Sequence, residues 1–305
     1  MNLEVKLRRM SMFNYKRAIC YSGYRENQSP ITKVYPSYDE VKEDLLILEK
    51  EYDYIRMYDP HMHAQTVLKC IRNEKIKLKV MLGIDLAAEY NNPNCPWYSG
   101  PSSDEQLAKN KEHNDNSLRL LIELANEYKD EIIFVSAGNE ARPSWGDNLV
   151  PEDRIVYFIN ELKNKCPQPV SYCEGWDLWV GQMEHILEAV DFLSVHIYPI
   201  WNKVHIEDAV KYTIDKFEEV IAYTDKPVII TEMGWATSSN NNEMIKEEAT
   251  ISNQKHFIEE FNKYMIENNK LGFYFEAFDE PWKGGNNPIE AEKNWGLYYV
   301  NRTKK

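Results

Sequence analysis

The chain is short of cysteine and glycine, with five of the first and 12 of the second in 305 residues. The cysteines, Cys20, Cys70, Cys95, Cys166 and Cys173, are odd in number and scattered, and form no CxxC pair, which argues against a disulfide framework or a zinc ribbon. They read as reduced thiols, and Cys20 and Cys173 fall in apolar strand-like runs where a small hydrophobe fits. No GxGxxG or GxxxxGK[ST] follows an apolar run, so the usual nucleotide signatures are missing, and there is no GxSxG elbow. No run approaches the roughly 18 apolar residues of a membrane span. Residues 1–17 carry basic side chains but neither the apolar stretch nor the small-residue cleavage site of a leader. The expectation is a cytoplasmic protein, or a secreted or periplasmic one if a leader has been removed. Basic residues are in deficit, 36 against 49 acidic ones, for a net charge of −13. That field repels phosphate backbones, so neither nucleic acid nor a membrane is expected as a partner. Nothing in the sequence fixes an oligomeric state.

What is present is an ordinary globular composition, 43% hydrophobic and 28% charged, which excludes disorder and fibrous classes. Eight short apolar runs, at 17–21, 54–58, 78–84, 132–137, 170–173, 192–198, 228–231 and 271–275, read as strands. Between them lie stretches with helical periodicity, such as 38–51, where Val41, Leu45 and Leu48 share a face, 116–129 and 253–268. Eight alternations without a linker point to an α/β fold, a single (β/α)8 TIM barrel with long βα loops. An open doubly wound sheet is the alternative. Residues 1–16 form an N-terminal extension and 17–305 the barrel. Two connections are long, 85–116 and 235–250, and long βα loops are where barrels build their sites.

Two glutamates stand out by position. Ala137-Gly138-Asn139-Glu140 ends the fourth predicted strand, and Thr231-Glu232-Met233-Gly234-Trp235 ends the seventh. Both are C-terminal strand ends, the face that carries barrel active sites. Glycoside hydrolysis needs such a pair, one carboxyl to protonate the leaving oxygen and another to attack the anomeric carbon or to activate water. Separation decides between these outcomes, and sequence does not measure it.

In its ordered motifs the chain resembles the family 17 glycoside hydrolases, the β-1,3-glucanase family of clan A. Ala18-Ile19-Cys20-Tyr21 is similar to that family's first strand, and Ile55-Arg56-Met57-Tyr58-Asp59-Pro60 to its second. Ser136-Ala137-Gly138-Asn139-Glu140 is similar to the acid/base segment and Thr231-Glu232-Met233-Gly234-Trp235 to the nucleophile segment. Phe275-Glu276-Ala277-Phe278-Asp279-Glu280-Pro281-Trp282-Lys283 and Asn294-Trp295-Gly296-Leu297-Tyr298 resemble the last strand and closing turn. The resemblance implies Glu140 as acid/base, Glu232 as nucleophile and Asn139 as a ligand of the sugar 2-hydroxyl. It puts Tyr21, Arg56 and Tyr58 among the substrate-binding candidates, Tyr198 near the nucleophile, and Glu280 and Lys283 beside the acid/base. A rim aromatic is the other reading of Tyr198, and a local ion pair that of Glu280 and Lys283. Tyr21-Ser22-Gly23-Tyr24-Arg25, Glu276 and Glu280-Pro281-Trp282-Lys283 look more like the microbial branch, which includes exo-acting enzymes and glucanosyltransferases. The expected partner is therefore a β-glucan or its oligosaccharides, with a β-1,3-glucanosyltransferase as the near alternative and a noncatalytic glucan-binding barrel as the distant one.

All eight tryptophans fall after predicted strands or in loops, and their flat apolar faces with a polar edge suit pyranose rings. Trp179 and Trp295 go to packing. Trp97, Trp145, Trp176, Trp201, Trp235 and Trp282 are subsite candidates as a set. His61-x-His63 places no two imidazoles on one strand or helix face and lacks a third ligand nearby, so no metal and no cofactor are expected.

Overall fold

The computed structural model describes residues 11–305; residues 1–10 of the N-terminal extension lie outside it. Eight parallel strands close in sequence order into a barrel: β1 (Arg17–Cys20), β2 (Tyr54–Met57), β3 (Lys79–Leu82), β4 (Ile132–Asn139), β5 (Val170–Gly175), β6 (Leu193–Ile197), β7 (Val228–Met233) and β8 (Gly272–Tyr274). Closure comes from Arg17, Ala18 and Ile19 pairing with Gly272, Phe273 and Tyr274. The open sheet is thereby ruled out.

Alternation along the strands sorts side chains into two cores. Ala18, Cys20, Met81, Phe134, Cys173, Phe192, Ile229 and Phe273 pack together inside the barrel. Their neighbours Ile19, Val80, Leu82, Val135, Leu193 and Ile230 face outward onto the helices. Phe13, ahead of β1, joins the inner core, its ring 5.3 Å from Phe134 and 5.1 Å from Phe192. Residues of the extension thus help fill the barrel.

Helices cross over between successive strands, and the first shows why they start where they do. Ser37 accepts from the Glu40 amide while Glu40 accepts from the Ser37 amide, a reciprocal cap that opens the helix Tyr38–Leu48. The long 85–116 connection is shorter than expected, because a helix Asp104–Glu127 begins within it, capped by Ser103. Its first turns are nearly all polar and show no periodicity; Asn110 and Asn114 instead hold the backbone of Ala87 and Ala88. No helix among the described residues is long and apolar enough to cross a membrane.

Candidate active site

Two close approaches of backbone explain the glycines that flank the glutamates. A Cβ on Gly138 would sit 2.7 Å from Leu86 and 3.0 Å from the Tyr172 ring, and one on Gly234 would sit 2.3 Å from the Phe275 carbonyl oxygen. Only glycine lets β4 and β7 lie this close to their surroundings. Glu140 then turns into the left-handed region at φ 44°. Its following amide, Ala141 N–H, donates to the Tyr172 hydroxyl at 2.8 Å, which donates to Glu174 at 2.9 Å.

Glu232 lies at the end of β7 and is 5% exposed. Arg56 Nη1 reaches its Oε1 at 2.5 Å, Tyr58 donates to the same oxygen at 3.0 Å, and Tyr198 donates to Oε2 at 2.7 Å. Arg56 Nη2 meanwhile donates to Asn139 Oδ1 at 2.5 Å, linking the two glutamate-bearing strands. His196, on β6, stands between the glutamates: Nδ1 is 2.7 Å from Glu140 Oε1 and Nε2 3.7 Å from Glu232 Oε1. One carboxylate oxygen of Glu140 lies within 4.8 Å of one of Glu232.

The electrostatics separate these groups. Burial pushes the Glu232 carboxyl up, but the charges of His196 and Arg56 and the hydrogen bonds from Tyr198 and Arg56 outweigh it and lower its pKa to about 2. Burial acts downward on His196, yet the Glu232 and Glu140 carboxylates raise it to about 10, so the imidazole is charged at neutral pH. Glu174 is raised to about 8, by burial first and then by the Glu140 charge. Glu140, His196 and Glu232 also form the one group among the described residues whose ligand atoms converge closely enough for a metal. Glu232 is already held by three donors and His196 Nδ1 by Glu140, a set that suits proton transfer. His61 instead contacts Ser117, and His63 packs between Tyr21 and Tyr24.

Residues 18–296 match the BtgE/BtgC glycoside hydrolase domain. The chain belongs to that family. It is 28% identical, over 88% of its length, to the putative glucan endo-1,3-beta-glucosidase btgC of Aspergillus niger, covering 40% of that protein. It is 24% identical to a glucan 1,3-beta-glucosidase of Schizosaccharomyces pombe, over 63% of each chain. The chain thus spans about two fifths of the length of its Aspergillus relatives. An endo-laminarinase from Formosa Hel1_33_131 superposes with TM-score 0.78 at 26% identity, covering 93% of this chain and 83% of that one. A family 17 β-1,3-glucanosyltransferase from Rhizomucor miehei shares the fold, with TM-score 0.72 at 20% identity and 95% of each chain covered.

Within this glycoside hydrolase domain the expected site residues divide. Asn139, Arg56, Tyr58 and Tyr198 converge on the glutamates. Lys283 meets Glu276 at 2.8 and 2.9 Å and Glu280 at 2.7 Å, a buried trio at the end of β8. Trp282 sits beside it, edge-on to Tyr24, its indole N–H buried without a partner among the described residues. Tyr21 is not in the site: Cys20 points into the barrel, so the next side chain points out, where the Tyr21 hydroxyl donates to Asp44. Trp235 is likewise no subsite; it is fully buried against Phe257 and donates to the Glu248 carbonyl. Trp176 is half-buried, one face covered by Lys216 Nζ at 4.1 Å.

Sequence reading missed His196, Glu174 and Glu292. His196 and Glu174 each lie within two residues of a strand end, the signal that marked Glu140 and Glu232. Glu292 carries no such signal; it lies on the short turn Ala291–Lys293, and burial, with Glu140 and Glu232 near it, raises its carboxyl. It borders an open pocket of about 460 Å³ that Trp201, Asn241 and Glu290 also line.

The pKa values set a pH window. Glu232, lowered from 4.5 to about 2, contributes stability that is complete above about pH 4.5 and lost as pH falls through 2. His196, raised from 6.5 to about 10, contributes stability that is complete below about pH 6.5 and lost as pH rises through 10. Thermal unfolding across pH should therefore show the wild type most stable relative to Glu232→Gln between about pH 4.5 and 6.5, with the difference shrinking toward either extreme. A difference that does not vary with pH would contradict the ionised cluster.

Proposed function

We propose that this domain is a family 17 glycoside hydrolase that cleaves β-1,3-glucan or laminari-oligosaccharides with retention of configuration. The observation that carries the reading is the approach of the Glu140 and Glu232 oxygens to within 4.8 Å. Retaining enzymes hold their carboxyl groups about 5–5.5 Å apart, whereas inverting ones need about 6.5–9.5 Å to admit water between them.

Glu232 attacks the anomeric carbon. It is ionised at any working pH, and Tyr58 and Tyr198 aim its two oxygens. Glu140 protonates the departing glycosidic oxygen, and His196 Nδ1 lies 2.7 Å from its Oε1. The bond between the Glu232 oxygen and the sugar forms as the glycosidic bond breaks. Glu140 then takes a proton from the incoming acceptor, which displaces Glu232 and restores the β-configuration. Asn139, with its Oδ1 fixed by Arg56, is left to present its amide N–H groups to the sugar 2-hydroxyl.

Incubation with laminari-oligosaccharides and chromatography of the products tests the reading. Shorter chains mean hydrolysis, longer chains mean transfer to a sugar acceptor, and unchanged chains with measurable binding mean a noncatalytic glucan-binding barrel. We expect shorter chains, and loss of all product by about 10³-fold or more in Glu232→Ala. Near wild-type turnover in that variant would sink the assignment.

Tyr172 is a positioning residue, because its hydroxyl ties the amide behind Glu140 to Glu174. Tyr172→Phe should lower kcat on laminari-oligosaccharides about tenfold or more, since general acid catalysis depends on aim. It should cost much less on an aryl glucoside whose leaving group needs no protonation. Equal losses on both substrates would mean that Tyr172 merely supports the fold.

A further inference from the structure

Of the eight tryptophans only Trp97 and Trp145 are widely exposed, at 55% and 48%. They come from the loops after β3 and β4 and meet, ring centroids 6.1 Å apart and planes at 51°. Trp97 Nε1 donates to Asp147 Oδ2 at 2.8 Å, which fixes the indole while leaving its face open. Tyr98 stands next to it, 36% exposed.

The loops beneath these rings are zipped together. Asn92, itself buried, donates to the carbonyls of Ser144 at 2.8 Å and Gly146 at 2.7 Å, and the Glu89 amide donates to Leu149 at 2.9 Å. The β4 loop also closes on its own strand, Val150 N–H donating to the Ala141 carbonyl at 3.0 Å. Trp145 is thus five residues from Glu140 in a rim built onto the same strand end. Holding two indoles out of the core exposes apolar surface that the fold could otherwise bury, and the polar zipper keeps them there.

Resting on the reading that the substrate is a β-glucan, we propose that Trp97 and Trp145, flanked by Tyr98, form a platform that grips a polysaccharide strand beyond the cleavage site. The patch is too small for a protein partner: three aromatic side chains offer roughly 150–250 Å² each, whereas stable protein interfaces bury about 1,200 Å² or more. It suits sugar rings, whose C–H faces stack on indoles while their hydroxyls find acceptors. Asp147, bonded to the Trp97 indole, is such an acceptor beside the rings. Continuity of the rim with the Glu140 strand end makes the occupant the same chain that enters the site.

Calorimetric titration tests this in the Glu232→Gln background, where bound substrate persists, with laminarin and laminaritriose as the two ligands. Adding Trp97→Ala and Trp145→Ala should raise the laminarin Kd about five- to tenfold and the laminaritriose Kd by less than about twofold. Asp147→Ala, which frees the Trp97 ring but removes no aromatic surface, should give a smaller loss of the same selectivity. Equal weakening of both ligands, or of neither, overturns the platform while leaving the proposed substrate standing. Failure of Glu232→Gln to bind either ligand overturns the proposed substrate, and the platform's ligand with it.

Discussion

A carboxylate withdrawn from water must be held by charge and hydrogen bonds, and Glu232 is the group around which the top of this barrel is arranged. Arg56 from β2, Tyr58 just beyond it, Tyr198 beyond β6 and His196 within β6 all direct a donor or a positive charge at it. An isolated buried carboxylate would neutralise itself. Here the pKa goes down to about 2 instead. The same donors reach outward: Arg56 to Asn139 and His196 to Glu140. The two glutamates are therefore parts of one charged network, and neither can be moved without disturbing the other.

In the proposed reaction, that network sets an ionised nucleophile and a proton donor side by side. The charged imidazole of His196 stands between the two carboxyl groups, 2.7 Å from Glu140 and 3.7 Å from Glu232. Farther out, each glutamate has its own support. Behind Glu140 the Tyr172–Glu174 relay secures the backbone at a positive φ. Beside Glu232, Gly234 allows the β8 backbone to approach. The Lys283 trio completes the β8 side with a buried ammonium paired to two carboxylates, the arrangement that burial of any of the three alone would forbid.

Much of this was legible beforehand. Strand positions follow from short apolar runs, and the placement of Glu140 and Glu232 follows from where those runs end. The direction of each side chain was less legible, because it depends on strand phase at the exit from the barrel. Tyr21 is one residue past β1 and faces the helices, whereas Tyr58, one residue past β2, turns to the site. Trp235 looked like a sugar platform and is core, because Glu248 in a later turn meets its indole. Periodicity found the second half of the helix Asp104–Glu127, within 116–129, but missed its polar first turns, whose contacts are to backbone rather than to the core. His196 was visible only as one histidine among seven; its role comes from lying between two residues that are 92 positions apart in the chain.

In the proposed reaction Glu232 bonds to the sugar during turnover. A 2-fluoro laminaribioside with a good leaving group slows the second displacement and lets that bond accumulate. Peptide mapping of the trapped protein by mass spectrometry then locates the adduct. The expected result is one 2-fluoro-laminaribiosyl group on the peptide containing Glu232. An adduct on Glu140, or turnover of laminari-oligosaccharides to products that first appear as the α-anomer, would contradict it.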